Sequence, residues 1–239
     1  MIESTDNSTR KIAADFDRIA LVSNDGWDHN SHYHSFLLKH LPPHCVEVLE
    51  IGCGTGAFSR RLATRSGRVL ALDLSPQMIR IAKERSGQHS NIDFQVANAL
   101  AWEFPAGQFD CVASIATLHH LPFEEMLSKM QRALKLNGTL IVLDLYQPEG
   151  LTDWLIRKLA IPVGLVLKLI KLRQLREPSE FQAAWEEHAR GDSYLTLSQV
   201  RQACASLLPR AKVRRHLLWR YSIVWKKPDP CSKEAGTVS

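Results

Sequence analysis

Residues 48–56 constrain the fold of this chain more than any other stretch. An apolar run ends there in three glycines spaced two apart, which are Gly52, Gly54 and Gly56. Phe58 and Leu62 follow one helical turn apart. Glycine permits a sharp turn and lets a ligand approach the main chain closely. Strand, glycine turn and helix together predict the opening unit of a nucleotide-binding α/β sheet, with unpaired helical N–H groups facing the ligand.

A second apolar run, residues 69–72, ends in Asp73, about twenty residues beyond the first glycine. In a doubly wound fold an acid at this place binds the ribose hydroxyls. A carboxylate can accept two hydrogen bonds at once, which suits a cis-diol. We therefore expect Asp73 to bind ribose; the alternative is a solvated acid at a strand end.

Two cofactor classes fit the glycine turn. A nicotinamide or flavin site requires G-x-G-x-x-G/A, which Gly52, Gly54 and Ala57 satisfy loosely. An adenosylmethionine site matches Glu50-x-Gly52-x-Gly54-x-Gly56 instead. The Glu50 carboxylate would oppose a pyrophosphate but would suit the positive sulfonium and amino groups, so the turn favours S-adenosylmethionine.

These residues resemble the class I S-adenosylmethionine-dependent methyltransferases, in their small-molecule, methyltransferase type 11-like branch. The motifs are LEIGCGTG from Leu49, LDLSPQMI from Leu72, FDCVASIATLHHL from Phe109 and LKLNGTLIVLD from Leu134. The resemblance covers about the first two thirds of the chain. It implies a doubly wound, mostly parallel seven-stranded α/β sheet with helices on both faces and a C-terminal antiparallel hairpin.

The resemblance also implies which residues contact the cofactor. They are Glu50, Gly52, Cys53, Gly54, Gly56, Asp73, Leu74, Met78, Asn98, Ala99 and Ile115. The family commonly has an acid at the Asn98 position that binds the adenine amino group. The asparagine carbonyl can still accept that hydrogen bond, although the charge is gone.

Strands are predicted over Phe109–Ile115 and Thr139–Leu145, and His119 and His120 follow the first of them. Ligands of open α/β sheets bind beyond the carboxyl ends of the strands, so both histidines fall where the transferred methyl should be. Histidine is the usual general base near neutral pH. Either ring is a candidate catalytic base, and the alternative for each is packing under the next helix.

Two helices are predicted over residues 11–41, after a loose polar segment 1–10. A dense aromatic and imidazole run, residues 27–34, lies between the two helices. In the resembling family N-terminal helices often cover the cofactor and substrate. We therefore expect three of its residues, His29, Asn30 and Tyr33, to line the mouth of the substrate pocket, with helix capping and packing as the alternative.

The strand–helix alternation stops at residues 147–191, which are apolar and interrupted by Pro162 and Gly164. We expect a helical cap insertion over the substrate side, with Trp185 in the substrate pocket and a hydrophobic or aromatic acceptor. One alternative is a basic amphipathic helix resting on a membrane surface. Another is that these helices simply bury their apolar face against the sheet.

A single methyltransferase domain, residues 1–239, accommodates all of these features. Its predicted parts are an N-terminal helical lid (1–44), a cofactor-binding core (45–146), the cap (147–191), a closing helix and strand hairpin (192–227) and a tail (228–239). Ser75 and Pro76 are predicted to open the second helix of the core, with serine as the cap and proline at the first helical position. The closing helix begins with the capping-box pattern Thr196-x-x-Gln199. The hairpin strands are predicted over residues 213–219 and 221–226.

Charge and cysteine content limit the partners. The net charge of +5 comes from scattered basic residues, apart from clusters at 168–176 and 210–215, and no basic helix is interleaved with stacking aromatics. A nucleic acid partner is therefore not expected. The five cysteines form no CxxC pair and no zinc spacing, so we expect no metal and a reduced, cytoplasmic location.

The sequence as a whole predicts transfer of a methyl group from S-adenosyl-L-methionine to an O, N or C nucleophile of a small molecule, with S-adenosyl-L-homocysteine as product. A nicotinamide-dependent oxidoreductase is one alternative, disfavoured by Glu50 and the terminal hairpin. A catalytically silent adenosylmethionine-binding partner protein is another. The acceptor and the oligomeric state stay open.

Overall fold

The computed structural model describes residues 2–22, 29–149, 185 and 193–229, with side chains from residue 9 onward. Its helices are α1 (Ile2–Val22), α2 (His34–Leu38), α3 (Ala57–Ala63), α4 (Pro76–Arg85), α5 (Phe123–Ala133) and α6 (Leu197–Leu207). Its strands are β1 (Glu47–Ile51), β2 (Arg68–Asp73), β3 (Ile92–Val96), β4 (Phe109–Ile115), β5 (Leu134–Leu145), β6 (Lys212–Arg215) and β7 (Arg220–Lys226). The predicted tail from residue 230 and all of the predicted cap except residues 147–149 and Trp185 lie outside the described residues.

The seven strands form one sheet in the order β3-β2-β1-β4-β5-β7-β6. Strands β1 to β5 are parallel, whereas β7 runs antiparallel to both β5 and β6. The strand order reverses direction between β1 and β4, and this switch point opens a crevice beyond the carboxyl ends of the two strands. The predicted doubly wound sheet with a terminal antiparallel hairpin is confirmed.

Helices cover both faces of the sheet because its central strands are apolar on both sides. On one face α5 and α6 pack on the sheet through Met126, Met130 and Val200, which are fully buried. On the other face α3 contributes Phe58 and Leu62. Each face therefore has its own core, and the strand ends between these cores are held in fixed positions.

Helix α1 packs against α4, with Ile19 and Ala20 on Met78 and Ile81. The expectation that residues 1–10 are loose is wrong from Ile2 onward, because α1 begins there. Once the packed part of a helix has formed, each further residue adds a hydrogen bond at little cost. The lid helix is therefore longer than its apolar stripe indicates.

Helix starts were predicted well. Ser75 caps α4 and accepts a hydrogen bond from the Met78 N–H at 3.0 Å, with Pro76 at the first helical position. Thr196 and Gln199 form the predicted capping box at the start of α6. Both helices are therefore fixed at the ends that their sequences specify.

Two strand boundaries were predicted wrongly. Strand β5 begins at Leu134 rather than Thr139, because Asn137, with φ of 62°, is accommodated where the pairing with β4 shifts register. Strand β6 ends at Arg215 rather than residue 219. Leu218 and Trp219 have φ of 60° and 57°, and a left-handed backbone cannot continue a strand.

Candidate cofactor and acceptor site

The three glycines of the turn after β1 all have positive φ, but the space around them differs. A Cβ on Gly52 would lie 1.9 Å from Thr117 Oγ1, and a Cβ on Gly56 would lie 2.9 Å from the Phe94 ring. A Cβ on Gly54, with φ of 53°, would meet nothing within 4 Å. Two of the glycines are therefore required by packing, whereas Gly54 borders open space at the switch point.

Asp73 ends β2 and faces this turn. Its Oδ2 accepts a hydrogen bond from the Gly54 N–H at 2.8 Å, and its Oδ1 accepts one from the Ser75 N–H at 2.9 Å. Burial raises the pKa of Asp73, the charge of Asp17 adds to this, and the two N–H donors oppose it. The carboxylate is thus fixed beside the glycine turn, where the sequence places a ribose-binding acid.

The lid helix reaches this acid through Ser75. The Ser75 hydroxyl donates to Asp17 Oδ1 at 2.5 Å, and the Gln77 N–H donates to the same oxygen at 3.2 Å. Asp17 therefore ties α1 to the N-terminus of α4 and so to the segment that positions Asp73. Sequence reasoning missed Asp17, which carries no signal apart from its place on the lid helix.

Glu50 is 2% exposed and accepts a hydrogen bond from the Ser59 hydroxyl at 2.5 Å. Burial raises the pKa of Glu50 to about 8, in spite of this hydrogen bond. A buried acid of this kind is stabilised in its ionised form by an added positive charge. Its chemistry therefore fits a cationic ligand at the turn and does not fit a pyrophosphate.

The other predicted cofactor contacts surround the same strand ends. Leu74, Asn98, Ala99 and Ile115 are partly exposed there, whereas Cys53 and Met78 are buried. The Asn98 side-chain carbonyl accepts a hydrogen bond from the Leu100 N–H at 3.0 Å. Because a carbonyl oxygen has two lone pairs, this bond leaves room for a second donor such as an adenine amino group.

The loop after β4 crosses the ends of three strands. Ala116 has φ of 50°, which is uncommon for a residue other than glycine and turns the chain sharply beyond β4. Thr117 then packs against Gly52 at the end of β1. His119 continues the loop to the end of β5. Sequence reasoning missed Ala116 and Thr117, since nothing in their residue types marks these roles.

His119 contacts Asp144, which is fully buried and lies one residue before the end of β5. The ring Nδ1 of His119 lies 2.6 Å from Asp144 Oδ1, and the backbone N–H of His119 donates to Oδ2 at 3.0 Å. Sequence reasoning did not assign Asp144 a role. The signal was present, because an acid that ends an apolar run is the same pattern that identified Asp73.

A cavity of about 130 Å³ lies beside His119. Its lining is apolar apart from three side chains and consists of Leu118, His119, Leu121, Phe123, Leu145, Ser193, Leu195 and Tyr221. Burial and the charge of Asp144 raise the pKa of Tyr221 well above its usual range, so its phenol stays neutral. The cavity therefore suits an apolar group that carries a polar substituent.

His120, the second predicted base, packs edge-on against Phe16 of the lid helix, with ring centroids 5.6 Å apart. Phe16 also meets Trp185 edge-on at 6.4 Å. The structure thus brings together the two predicted residues His120 and Trp185 through Phe16, an aromatic residue of the lid helix.

Asn30 and Tyr33, which were predicted at the pocket mouth, contact the terminal hairpin. The Tyr33 hydroxyl donates to the Leu217 carbonyl at 2.6 Å, and Asn30 Oδ1 accepts from Arg220 Nε at 2.8 Å. Burial raises the pKa of Tyr33 to about 12. These are the packing contacts that were considered as the alternative, and a pocket role for these residues and for His29 stays a prediction.

Within the part of the chain that the structure describes, no helix is long and apolar enough to cross a membrane. The same residues contain no group of three or more His, Cys, Asp or Glu side chains arranged to hold a metal ion. The four cysteines among them are buried free thiols.

The fold and the site together define a class of protein, an α/β enzyme that binds a nucleoside-containing cofactor at the switch point of its sheet. Residues 48–138 match the family model described as a methyltransferase domain. This match, together with the methyltransferase relatives and the solved structures, supports a class I S-adenosylmethionine-dependent methyltransferase that uses S-adenosylmethionine as its cofactor. The methyltransferase match decides against a nicotinamide-dependent oxidoreductase.

Relatives and solved structures agree with this family. An uncharacterized methyltransferase of Mycobacterium tuberculosis is 29% identical over 211 residues, which cover 84% of this chain and 98% of that protein. The 2-methyl-6-phytyl-1,4-hydroquinone methyltransferase of Synechocystis is 38% identical over 114 residues, 47% of this chain and 36% of that protein. The N-methyltransferase NodS from Bradyrhizobium japonicum, solved with S-adenosylhomocysteine, has a TM-score of 0.60 at 17% identity, covering 93% of this chain and all of that one.

Proposed function

We propose that this enzyme methylates an O, N or C nucleophile on a small hydrophobic or aromatic molecule. The observation that carries the proposal is the cavity beside His119, whose lining is mostly apolar. A wall of leucine and phenylalanine side chains gains free energy by burying apolar surface and gains none from a charged polymer. The hydroquinone methyltransferase of Synechocystis, which matches over part of this chain, supports an acceptor of this kind.

Residues at the ends of three neighbouring strands hold the cofactor beside the glycine turn in this proposal. Asp73 accepts hydrogen bonds from the ribose hydroxyls, Glu50 faces the positive end, and Asn98 accepts one from the adenine amino group. When it is bound, S-adenosylmethionine supplies an electrophilic methyl group on its sulfonium. The contribution of the chain is to bind, to orient the acceptor and to exclude water.

The lid helix contributes to exclusion of water. Asp17 joins it to the cofactor side through Ser75, and Phe16 joins it to His120. Trp185 of the predicted cap meets the same Phe16. We infer that this aromatic contact covers the acceptor side of the site, and that the aromatic faces favour a planar acceptor.

Two experiments test the proposal. Isothermal titration calorimetry should show binding of S-adenosylmethionine and S-adenosylhomocysteine, with nicotinamide dinucleotides as the negative control. An acceptor library incubated with methyl-labelled S-adenosylmethionine should then place the label in apolar small molecules. Label that enters only RNA, protein or highly charged metabolites would contradict the proposed acceptor class.

A further inference from the structure

Asp144 limits which nitrogen of His119 can act as a base. Asp144 is fully buried. Its Oδ1 lies 2.6 Å from the His119 ring Nδ1 and accepts a hydrogen bond from the Leu145 N–H at 2.8 Å. An ionised carboxylate can only accept hydrogen bonds, so Nδ1 must carry the hydrogen. In the neutral ring the lone pair then belongs to Nε2.

The His119 ring also lines the cavity of about 130 Å³. A cavity of roughly 150 Å³ with apolar walls is known to hold one benzene molecule, so this space is sized for the reacting ring of an acceptor and not for a whole extended substrate. The two hydroxyl groups in the lining, those of Ser193 and Tyr221, can bind a polar substituent on such a ring.

We propose that Asp144 is a positioning residue that holds His119 in the tautomer whose Nε2 takes a proton from the methyl acceptor. The acceptor class follows from this role. It is a small ring whose reacting atom bears a removable proton, as in a phenol, a primary or secondary amine, or an acidic carbon. The inference rests on the proposed function and deepens it.

The proton balance distinguishes this class from others. The acceptor proton moves to His119 Nε2 while the bond from the acceptor atom to the methyl carbon forms. The carbon–sulfur bond breaks, and its electron pair stays on sulfur, which becomes a neutral thioether. Asp144 then faces an imidazolium, which a buried carboxylate stabilises. A tertiary amine or a thioether has no proton to give and would not use this arrangement.

Other titratable groups near the ring do not substitute for Asp144. His120 lies beside it, with centroids 3.9 Å apart, and Tyr194 lies at 5.1 Å. Tyr221 on β7 pairs with Asp144 in the sheet and also lines the cavity. Each of these is neutral in its ordinary form near pH 8, whereas Asp144 supplies the negative charge that fixes the tautomer.

The first test requires no turnover. Nitrogen-15 NMR of the histidine-labelled full chain, alone and saturated with S-adenosylhomocysteine, reports the tautomer of each ring at pH 8. The His119 signals are identified as those that His119→Gln removes. We expect Nδ1 protonated and Nε2 unprotonated. Protonation at Nε2 in both states would overturn the proposal, whatever acceptor the enzyme uses.

The second test uses the acceptor that the labelled screen identifies. We expect His119→Gln to lower kcat/KM about 10²- to 10⁴-fold, the usual size of a general-base contribution, with the dissociation constant for S-adenosylmethionine within about twofold of wild type. His44→Gln is the matched control, because His44 is exposed and precedes β1, at the amino ends of the parallel strands and away from the site. A fall of less than about threefold in His119→Gln contradicts the proposal.

Asp144→Asn separates positioning from plain structural support. A neutral amide stabilises the imidazolium less, so we expect the acid limb of the kcat/KM profile to move to lower pH, which a merely structural role would not produce. If Asp144→Asn does not fold, the kcat/KM of His119→Gln and the His119 tautomer from NMR still test the proposal. Labelled products that are quaternary ammonium or sulfonium compounds would refute the acceptor class while leaving methyl transfer intact. Failure to bind S-adenosylmethionine would instead refute the proposed function.

Discussion

Gly54→Ala should weaken cofactor binding at a modest cost to folding. The φ of Gly54 is 53°, and a Cβ there meets no atom within 4 Å, so the added methyl group enters the open space beside Asp73. The hydrogen bond from the Gly54 N–H to Asp73 is retained, because alanine keeps that donor. The cost to the folded state therefore comes only from the left-handed backbone of the alanine, because the added methyl group collides with no atom.

The size of the folding effect follows from that backbone alone. A left-handed residue with a Cβ costs roughly 1–2 kcal/mol. For a domain of this length each 1 kcal/mol lowers the Tm by about 2–4 °C, so we expect a fall of about 2–8 °C. If the cofactor occupies the open space, the methyl must displace it, and we expect the affinity for S-adenosylmethionine to fall at least about tenfold, or 1.4 kcal/mol.

Gly107→Ala is the matched control. Gly107 has φ of 65°, its Cβ would also meet nothing within 4 Å, and it lies in the loop before β4, at the amino end of that strand. Both variants should therefore lose similar Tm in thermal unfolding, and calorimetry should show weakened binding only in Gly54→Ala. Equal affinity in the two variants would falsify the placement of the cofactor over the turn.

Four further results follow from the structure. Burial raises the pKa of Glu50 to about 8, so binding of a cationic cofactor below that pH should release a proton. The affinity measured by calorimetry should therefore increase up to tenfold per pH unit from pH 6 to 8. Glu50→Gln should show no such trend. The same shift means that the native state holds this proton above the ordinary pKa of 4.5, so the free energy of unfolding contributed by Glu50 falls as the pH rises towards 8. Thr196→Ala removes the cap of α6 and should cost about 0.5–2 kcal/mol in denaturant unfolding without changing cofactor affinity. Phe109→Ala empties a fully buried site on β4 and should cost about 3–5 kcal/mol, whereas Leu136→Ala, at 55% exposure, should cost under about 0.5 kcal/mol; equal losses would contradict the core assignment.

Much of the cofactor side could be predicted because its signals are local. The glycine turn, the acid after β2 and the Ser75 cap each depend on a few consecutive residues, and backbone geometry limits which residue types can occupy such places. Parallel strands then bring their carboxyl ends to one edge of the sheet. The positions of Glu50 and Asp73 beside the glycine turn could therefore be predicted without any knowledge of tertiary contacts.

The acceptor side depends on contacts between distant segments, and there the sequence was less informative. His119 and Asp144 are 25 residues apart, and Phe16 meets His120 and Trp185 from the other end of the chain. No local pattern encodes such pairs. The early end of β6 was missed for a similar reason, since the left-handed turn at Leu218 and Trp219 contains no glycine and depends on contacts with Arg220 and Tyr33.

The position of strand β6 explains why basic residues cluster near residue 212. This strand ends the described sheet, so the backbone groups along its outer side face no further strand among the described residues. Lys212, Arg214 and Arg215 stand on it, all exposed. Two copies of this enzyme that approached edge to edge would bring six cations together, and their repulsion opposes intermolecular strand pairing. The positive charge here therefore protects the enzyme against aggregation through its sheet, a role that requires no anionic partner.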